Sequence, residues 1–415
     1  MNFFDSATVV VAILLLGATI LIAFGSDALS QRFRVPDVLW LILFGLLAGP
    51  IFHIVSPSQV TEIGAIVGTI ALVIILYDAG IDFNPREARS VGVSGLLLAV
   101  LSFGLSAAAL FLVAYLLLTN YDLTTSVVFA LALAGISGAV TIPLGARLGL
   151  SAPSRDTLNL DLAIEDTLGV LSVTVLLSVL ASPNAGIGAI VPEVLLPLPL
   201  AIIFGVLGGL AAIEFLTRWQ QRVYAGLAVM GLLLVVYAGT QYLDGSGIIA
   251  ALIMGVVLGN DSFFRRWLPR TMSPNFAFDP TVRQVHNDIA FVLRALFLVI
   301  LGIIVPIQPL GVTVAAAAVA LPFVLLLLRR YVLQDLAGRQ RVSSKEWPRL
   351  AGLYGRGLTN AVLLILALAL IPAMNSLLFP ALIVIIGTDV LMTALVFLDR
   401  GSGPSAPSPT SSGGP

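Results

Sequence analysis

Basic residues in this chain fall into every second gap between apolar stretches, a rhythm that restricts the fold more than any single motif. With about 20 apolar residues as the length that spans a bilayer, thirteen helices are placed near 7–24, 37–55, 62–80, 91–118, 125–149, 156–181, 196–216, 223–243, 245–260, 285–305, 310–333, 350–371 and 377–398. Nineteen of the 21 Lys and Arg residues lie in the odd-numbered gaps or after the last helix, with Arg329 and Arg330 counted to the gap that follows helix eleven. The even-numbered gaps hold none. Because positive charge collects on the cytoplasmic side, this pattern predicts an N terminus outside and a cytoplasmic C terminus. One missed or invented helix would destroy the alternation. The expected fold is an all-α polytopic membrane protein of 13 transmembrane helices.

The composition agrees. Hydrophobic residues make up 59% of the 415 and charged residues only 10%, against about 25% charged in soluble domains. Absence of cysteine excludes disulfides, thiolate metal sites and cysteine nucleophiles, and His53 and His286 are too few for a histidine metal cluster. A net charge of -1 offers no basic surface for nucleic acid. We expect no cofactor and no enzymatic activity. Residues 1–399 read as a transmembrane domain of the cell membrane, and 400–415, GSGPSAPSPTSSGGP, as a disordered cytoplasmic tail. The loop DSFFRRWLPRTMSPNFAFDP mixes aromatics with arginines and is placed at the headgroup level.

Against that apolar background the buried charges stand out. Asp161, Glu165 and Asp166 lie inside the span 156–181, where each acid costs about 2.5–3.5 kcal/mol even on the gentlest scale. The preceding span is broken at Ser137-Gly138-Ala139-Val140-Thr141-Ile142-Pro143: Pro143 removes a backbone donor and Gly138 loosens the helix. Carbonyls freed beside buried carboxylates suit a small hard cation. The Ser137 and Thr141 hydroxyls either bond to a carbonyl one turn back or add oxygens for such a cation. Arg294 and Arg356 fall inside helices ten and twelve. At about 1.5 Å rise per residue, Asp161 and Arg356 lie roughly 8 and 9 Å past the inner helix ends, and Glu165 and Arg294 roughly 14 and 13 Å. Matching depths predict the pairs Asp161–Arg356 and Glu165–Arg294. Asp166 is left without a cation, which makes it a candidate carrier of protons or metal cations.

An odd helix count lets helices one to six and eight to thirteen form an inverted repeat, with helix seven as connector. Helix five then corresponds to helix twelve, which is interrupted at AGLYGRGLTNA, and the two broken helices are expected to cross. Helix six corresponds to helix thirteen, which carries Asp389, expected as a cavity or helix-contact residue. The core bundle then includes 125–181 and 350–398.

Six segments taken in order, VPDVLWLILFGLLAGP, LVIILYDAGIDF, ISGAVTIPLGARLGL, LDLAIEDTLGV, ALFLVILGI and LYGRGLTNAVLLILAL, resemble the monovalent cation:proton antiporters, most closely the sodium/proton exchanger branch. The resemblance implies that Asp166 is the ion-binding aspartate, that Arg356 pairs with Asp161, the acid five residues before it, and that Asp78 of helix three helps to coordinate the ion. Glu165 stands where the electroneutral branch has Asn and the electrogenic branch a second Asp. Gly138 replaces a usual Pro, and Leu162 a Ser that often supplies a ligand. The implied function is exchange of Na+ or K+ for H+ by alternating access, both ligands competing for Asp166, in a homodimer within the lipid bilayer. A passive cation channel or ion-gated sensor is the alternative. Two buried arginines beside the carboxylates and the lack of a repeated filter sequence argue against an open cation pore.

Overall fold

Apolar runs of these lengths satisfy their backbone within a bilayer only as helices, and outside its turns the computed structural model is helical over its described residues, which are 6–33, 35–83, 85–118, 122–181, 197–219, 224–264, 280–336, 346–368 and 370–399. The tail 400–415 and most of the aromatic and arginine-rich loop, 265–279, lie outside them.

The chain runs through α1 (Ser6–Phe33), α2 (Asp37–Leu46) with a π-helical turn to Ile51, α3 (Pro57–Asp82), and α4 (Pro85–Val113) with a second π-helical turn to Leu118. Next come α5 (Leu123–Ala134), α6 (Gly138–Gly145), α7 (Ala152–Ala181), α8 (Pro197–Trp219), α9 (Ala225–Tyr242), α10 (Gly247–Gly259) and the short α11 (Asp261–Phe264). The last elements are α12 (Pro280–Ile304), α13 (Val312–Leu336), α14 (Trp347–Gly352), α15 (Leu358–Leu368) and α16 (Leu378–Asp399). Every stretch expected to span falls on one of these helices or on a consecutive pair. Among the described residues, eight helical runs are long and apolar enough to cross a membrane, and four shorter apolar helices lie at 37–51, 66–81, 247–259 and 358–368. The stretch 156–181 lies on α7, whose run includes Arg155, Asp156, Asp161, Glu165 and Asp166.

Local chemistry marks the helix starts. Gln59 Oε1 accepts the Ser56 N–H at 2.9 Å ahead of α3, Asp122 accepts the Thr124 N–H at 3.2 Å at α5, and Ser246 accepts the Ile249 N–H at 3.4 Å at α10; each satisfies a donor that the first helical turn leaves free. Helix pairing rests on small residues, which let backbones approach where lipid offers no hydrophobic drive. Between α3 and α10, a Cβ on Gly80, Gly255 or Gly259 would lie 2.1–2.2 Å from the carbonyls of Leu252, Tyr77 and Ile81 respectively.

Two apolar clusters result. The smaller joins α3, α8, α9 and α10 around Val73, Ala212, Leu233 and Met254. The larger joins α2, α5, α7, α12, α15 and α16 around Phe129, Val173, Phe297 and Leu364. Alternate faces of α3 serve both, with Leu72 and Leu76 in the larger cluster and Val73 and Tyr77 in the smaller. Leu21, Phe24, Val235 and Leu327 project from the outer faces, as a lipid-facing surface requires.

Candidate functional site

The two interrupted helices meet at their breaks. At Gly135 the chain leaves α5 in an extended conformation and re-enters a helix only at Gly138, while 353–357 separate α14 from α15. The Ser137 N–H donates to the Gly355 carbonyl at 2.9 Å, and a Cβ on Gly357 would come within 2.9 Å of Ser137 Oγ. Crossing therefore requires glycine at that point.

Breaking α5 frees its last carbonyls, and residues of the second break take them up. Arg356 Nε donates to the Leu133 carbonyl at 2.6 Å and Nη2 to that of Ala134 at 3.1 Å, while Nη1 reaches its own segment at Tyr354 (3.1 Å). Asn360 Nδ2 donates to the carbonyls of Ala132 (2.9 Å) and Gly135 (3.0 Å), and its Oδ1 accepts the Gly357 N–H at 2.9 Å. Four consecutive carbonyls are satisfied this way, and a cation sits at the negative end of α5. For these four carbonyls, Arg356 and Asn360 take the place expected of a metal ion.

The buried ion pairs also differ from expectation. Asp161 is held by Arg329 Nη2 at 2.5 Å, and Arg329 Nη1 reaches Glu165 at 3.3 Å. Arg356 is therefore not the hydrogen-bonded partner of Asp161, because its guanidinium is committed to carbonyls. Arg294 pairs with Asp37 of α2 at 3.1 Å instead of Glu165. Depth along parallel helices cannot say which faces meet, and that is why both pairings failed. Arg329, counted with the cytoplasmic gap although it falls within the expected span 310–333, is buried inside α13. Asp161 and Glu165, one turn apart on α7, present both carboxylates to one guanidinium.

On the next face of α7, Asp166 is buried without an arginine. Its Oδ2 faces the Gly138 N–H at 3.5 Å, the first amide after the break, and the Thr359 hydroxyl reaches the same carboxylate. Neighbouring Ile136 gives its N–H to Glu165 Oε2 at 3.1 Å, so both acids of α7 read the opened backbone. The Ser137 and Thr141 hydroxyls, one turn apart at the start of α6, are buried with no hydrogen-bond partner. Bonding to a carbonyl one turn back is thereby set aside for both. The Asp78 carboxylate contacts His286 Nε2 of α12, whose Nδ1 faces Met230 Sδ at 3.3 Å. Asn360, Thr359, Arg329 and His286 were not singled out from sequence. Only the spacing of Arg356 and Asn360, one helical turn apart, could have pointed to a shared capping role.

Comparison with known proteins fits this geometry. The family model for the transmembrane sodium/hydrogen exchanger matches residues 16–398. A K(+)/H(+) antiporter NhaP from Alkalimonas amylolytica is 27% identical over 315 residues, 74% of this chain and 52% of that protein. Na(+)/H(+) antiporter 1 from Methanocaldococcus jannaschii is 24% identical over 245 residues, 57% of either chain. The chain thus spans little more than half the length of these curated relatives. The solved structure of the sodium proton antiporter MjNhaP1 from the same archaeon, at pH 8, superposes with a TM-score of 0.76 over 95% of this chain and 99% of that one, at 19% identity, a likeness of fold. A match that runs from the first helix to the last places this chain in the transmembrane sodium/hydrogen exchanger family.

Proposed function

We propose that this protein exchanges a monovalent cation, Na+ or K+, for H+ across a cell membrane, with both ligands using Asp166 in turn. The reading rests above all on one observation: Asp166 is a buried carboxylate with no arginine partner, set at the crossing of two broken helices against the first amide beyond the α5 break. A carboxylate in that position needs a mobile positive ligand, and either a proton or a dehydrated cation supplies one. Mutual exclusion at a single group then couples the two flows, since the crossing moves between inward-open and outward-open states only when the charge is covered. Arg329 pairs with both Asp161 and Glu165, and the three side chains tie α7 to α13.

Thirteen transmembrane helices, an outside N terminus, a cytoplasmic C terminus and a homodimer complete the proposal. The relatives' names as K(+)/H(+) and Na(+)/H(+) antiporters support the ligand class. The test is transport by the protein in sealed liposomes under an imposed pH gradient. An antiporter accumulates Na+ or K+ above its outside concentration when the lumen starts acid, and Asp166→Asn abolishes that accumulation. Flow that only dissipates the cation gradient would mean a channel.

A further inference from the structure

Among the described residues, four carboxylates are buried at or beside the crossing, Asp161, Glu165, Asp166 and Asp389, with two buried guanidiniums, Arg329 and Arg356. Arg329 serves Asp161 and Glu165 directly. Arg356 spends its donors on carbonyls. Two acids are therefore in excess. One is Asp166, the proposed ion site. The other is Asp389, which the exchange mechanism above does not use.

Asp389 is fully buried in the middle of α16, and neither carboxylate oxygen has a hydrogen-bond partner. It faces the unwound segment between α14 and α15: a Cβ on Gly355 would sit 2.8 Å from Asp389 Oδ1, so glycine there lets the carboxyl group lie against open backbone. The adjacent Arg356 N–H lies next to it, although that donor is directed at Thr388 Oγ1 at 3.3 Å. The charged and titratable groups within its field are Arg356 and Tyr354 of the unwound segment and Asp37 of α2, itself paired with Arg294. The Tyr354 hydroxyl is also buried and unpartnered.

The placement repeats that of Asp166. A broken pair, α5 and α6, is followed by the long helix α7, whose Asp166 faces the first amide beyond the break; a second broken pair, α14 and α15, is followed by the long helix α16, whose Asp389 faces the amide of Arg356 in its break. We propose that Asp389 is a second proton-binding site, placed at the second break as Asp166 is at the first. A bare carboxylate with no donor and no dedicated cation is not tolerated at that depth, and a proton is the one ligand that needs no further oxygens. When the crossing opens, the proton leaves Asp389 for water, and the carboxylate left behind takes the Arg356 guanidinium as its partner in place of the α5 carbonyls. Each cycle then moves more protons per cation than a single carboxylate can carry, so exchange is electrogenic.

This inference rests on the exchange reading for its transport consequence but not for the proton itself, and two measurements separate them. Infrared difference spectra of the reconstituted protein, recorded without a transported cation at neutral pH, report protonated carboxyl groups directly. We expect a band that Asp389→Asn removes, that Asp166→Asn leaves in place and that Asp389→Glu retains at a shifted position. No change on Asp389→Asn, with the protein folded by size-exclusion chromatography, would overturn the proposal, as would loss of the band only in Asp166→Asn. In liposomes, Asp389→Asn should abolish the acceleration of exchange by an imposed membrane potential. Wild-type exchange indifferent to potential would overturn the transport consequence, whereas absence of any exchange in the wild type would refute the antiporter reading and leave the infrared result standing.

Discussion

At the scale of single residues, the account turns on which charges are paired. Arg329 holds two acids of α7 with one guanidinium, and breaking a buried pair from one side costs about 3–5 kcal/mol because the remaining charge is stranded. Arg329→Met should therefore lower the unfolding temperature sharply, and adding Asp161→Asn and Glu165→Gln should recover most of the loss; a thermal melt of the purified protein decides it. Equal destabilisation by the single and triple variants would contradict the pairing. A milder effect is expected at the hydroxyls. Ser137→Ala and Thr141→Ala remove unpartnered oxygens, so they should raise the cation concentration for half-maximal exchange with little change in stability. Much of this residue-level picture was legible beforehand. Asp166 stood out because a carboxylate inside an apolar span needs a reason, and no arginine was left to give one. The pairings were not legible, because helix rise fixes depth but not the rotation of one helix against another. Arg294 and Glu165 share a depth but face different neighbours, Asp37 and Arg329.

Elements add a second constraint. The end of α5 is capped by side chains from a segment more than 200 residues away in sequence, with Arg356 and Asn360 closing four of its carbonyls. Neither can be lost cheaply. Asn360→Ala leaves the Ala132 and Gly135 carbonyls without their donor, each worth about 1–3 kcal/mol when buried, and Asn360→Asp should be as damaging because it brings an acceptor to acceptors. Arg356→Lys keeps the charge but not the planar fork that reaches three carbonyls at once; it should preserve membrane insertion while lowering the exchange rate. Comparing unfolding temperature with initial rate for these variants shows whether the two breaks move as one piece. The second break was readable in sequence from Gly355 and Gly357, whereas the first falls at 135–137, upstream of the expected Ser137–Pro143, since Gly138 opens α6 and Pro143 lies inside it. That the freed carbonyls were occupied could not be read, since it depends on the crossing rather than on either segment alone.

At the scale of the whole molecule, the alternation of basic residues predicts orientation, and the absence of cysteine makes a clean test possible. Single cysteines introduced at Asn120 and Ser151 should label from opposite sides of the membrane; labelling from the same side would break the thirteen-helix topology. Between the two halves, Glu346 ahead of α14 accepts the Ser151 N–H at 3.1 Å and the hydroxyls of Ser151 and Ser154 at the start of α7. Partial burial acts to raise its pKa, but the Ser151 and Ser154 donors and the nearby Arg349 outweigh that and hold the carboxyl group below its usual value. A depressed folded-state pKa means that the contact contributes stability above the unfolded value and loses it as pH falls through the folded one. Glu346→Gln should therefore melt at a lower temperature than wild type at neutral pH, with the gap closing in acid. A gap independent of pH would contradict the link. The helices that build this frame were located from sequence because apolar length sets them, but polar extensions were missed: α1 runs to Phe33 instead of 24, and α4 starts at Pro85 instead of 91. The division into two apolar clusters, with α3 feeding both, was not readable there, because it depends on glycine contacts such as Gly255 against Tyr77.

The central claim is that cation and proton take turns on Asp166, and initial-rate kinetics in liposomes test it most directly. Exchange is measured against cation concentration at a series of fixed pH values on the cation-entry side. The account predicts that lowering the pH raises the cation concentration needed for half-maximal rate while the maximal rate stays unchanged, as competition at one carboxylate demands. A falling maximal rate at constant half-saturation would mean that proton and cation act at separate sites, and would contradict the claim.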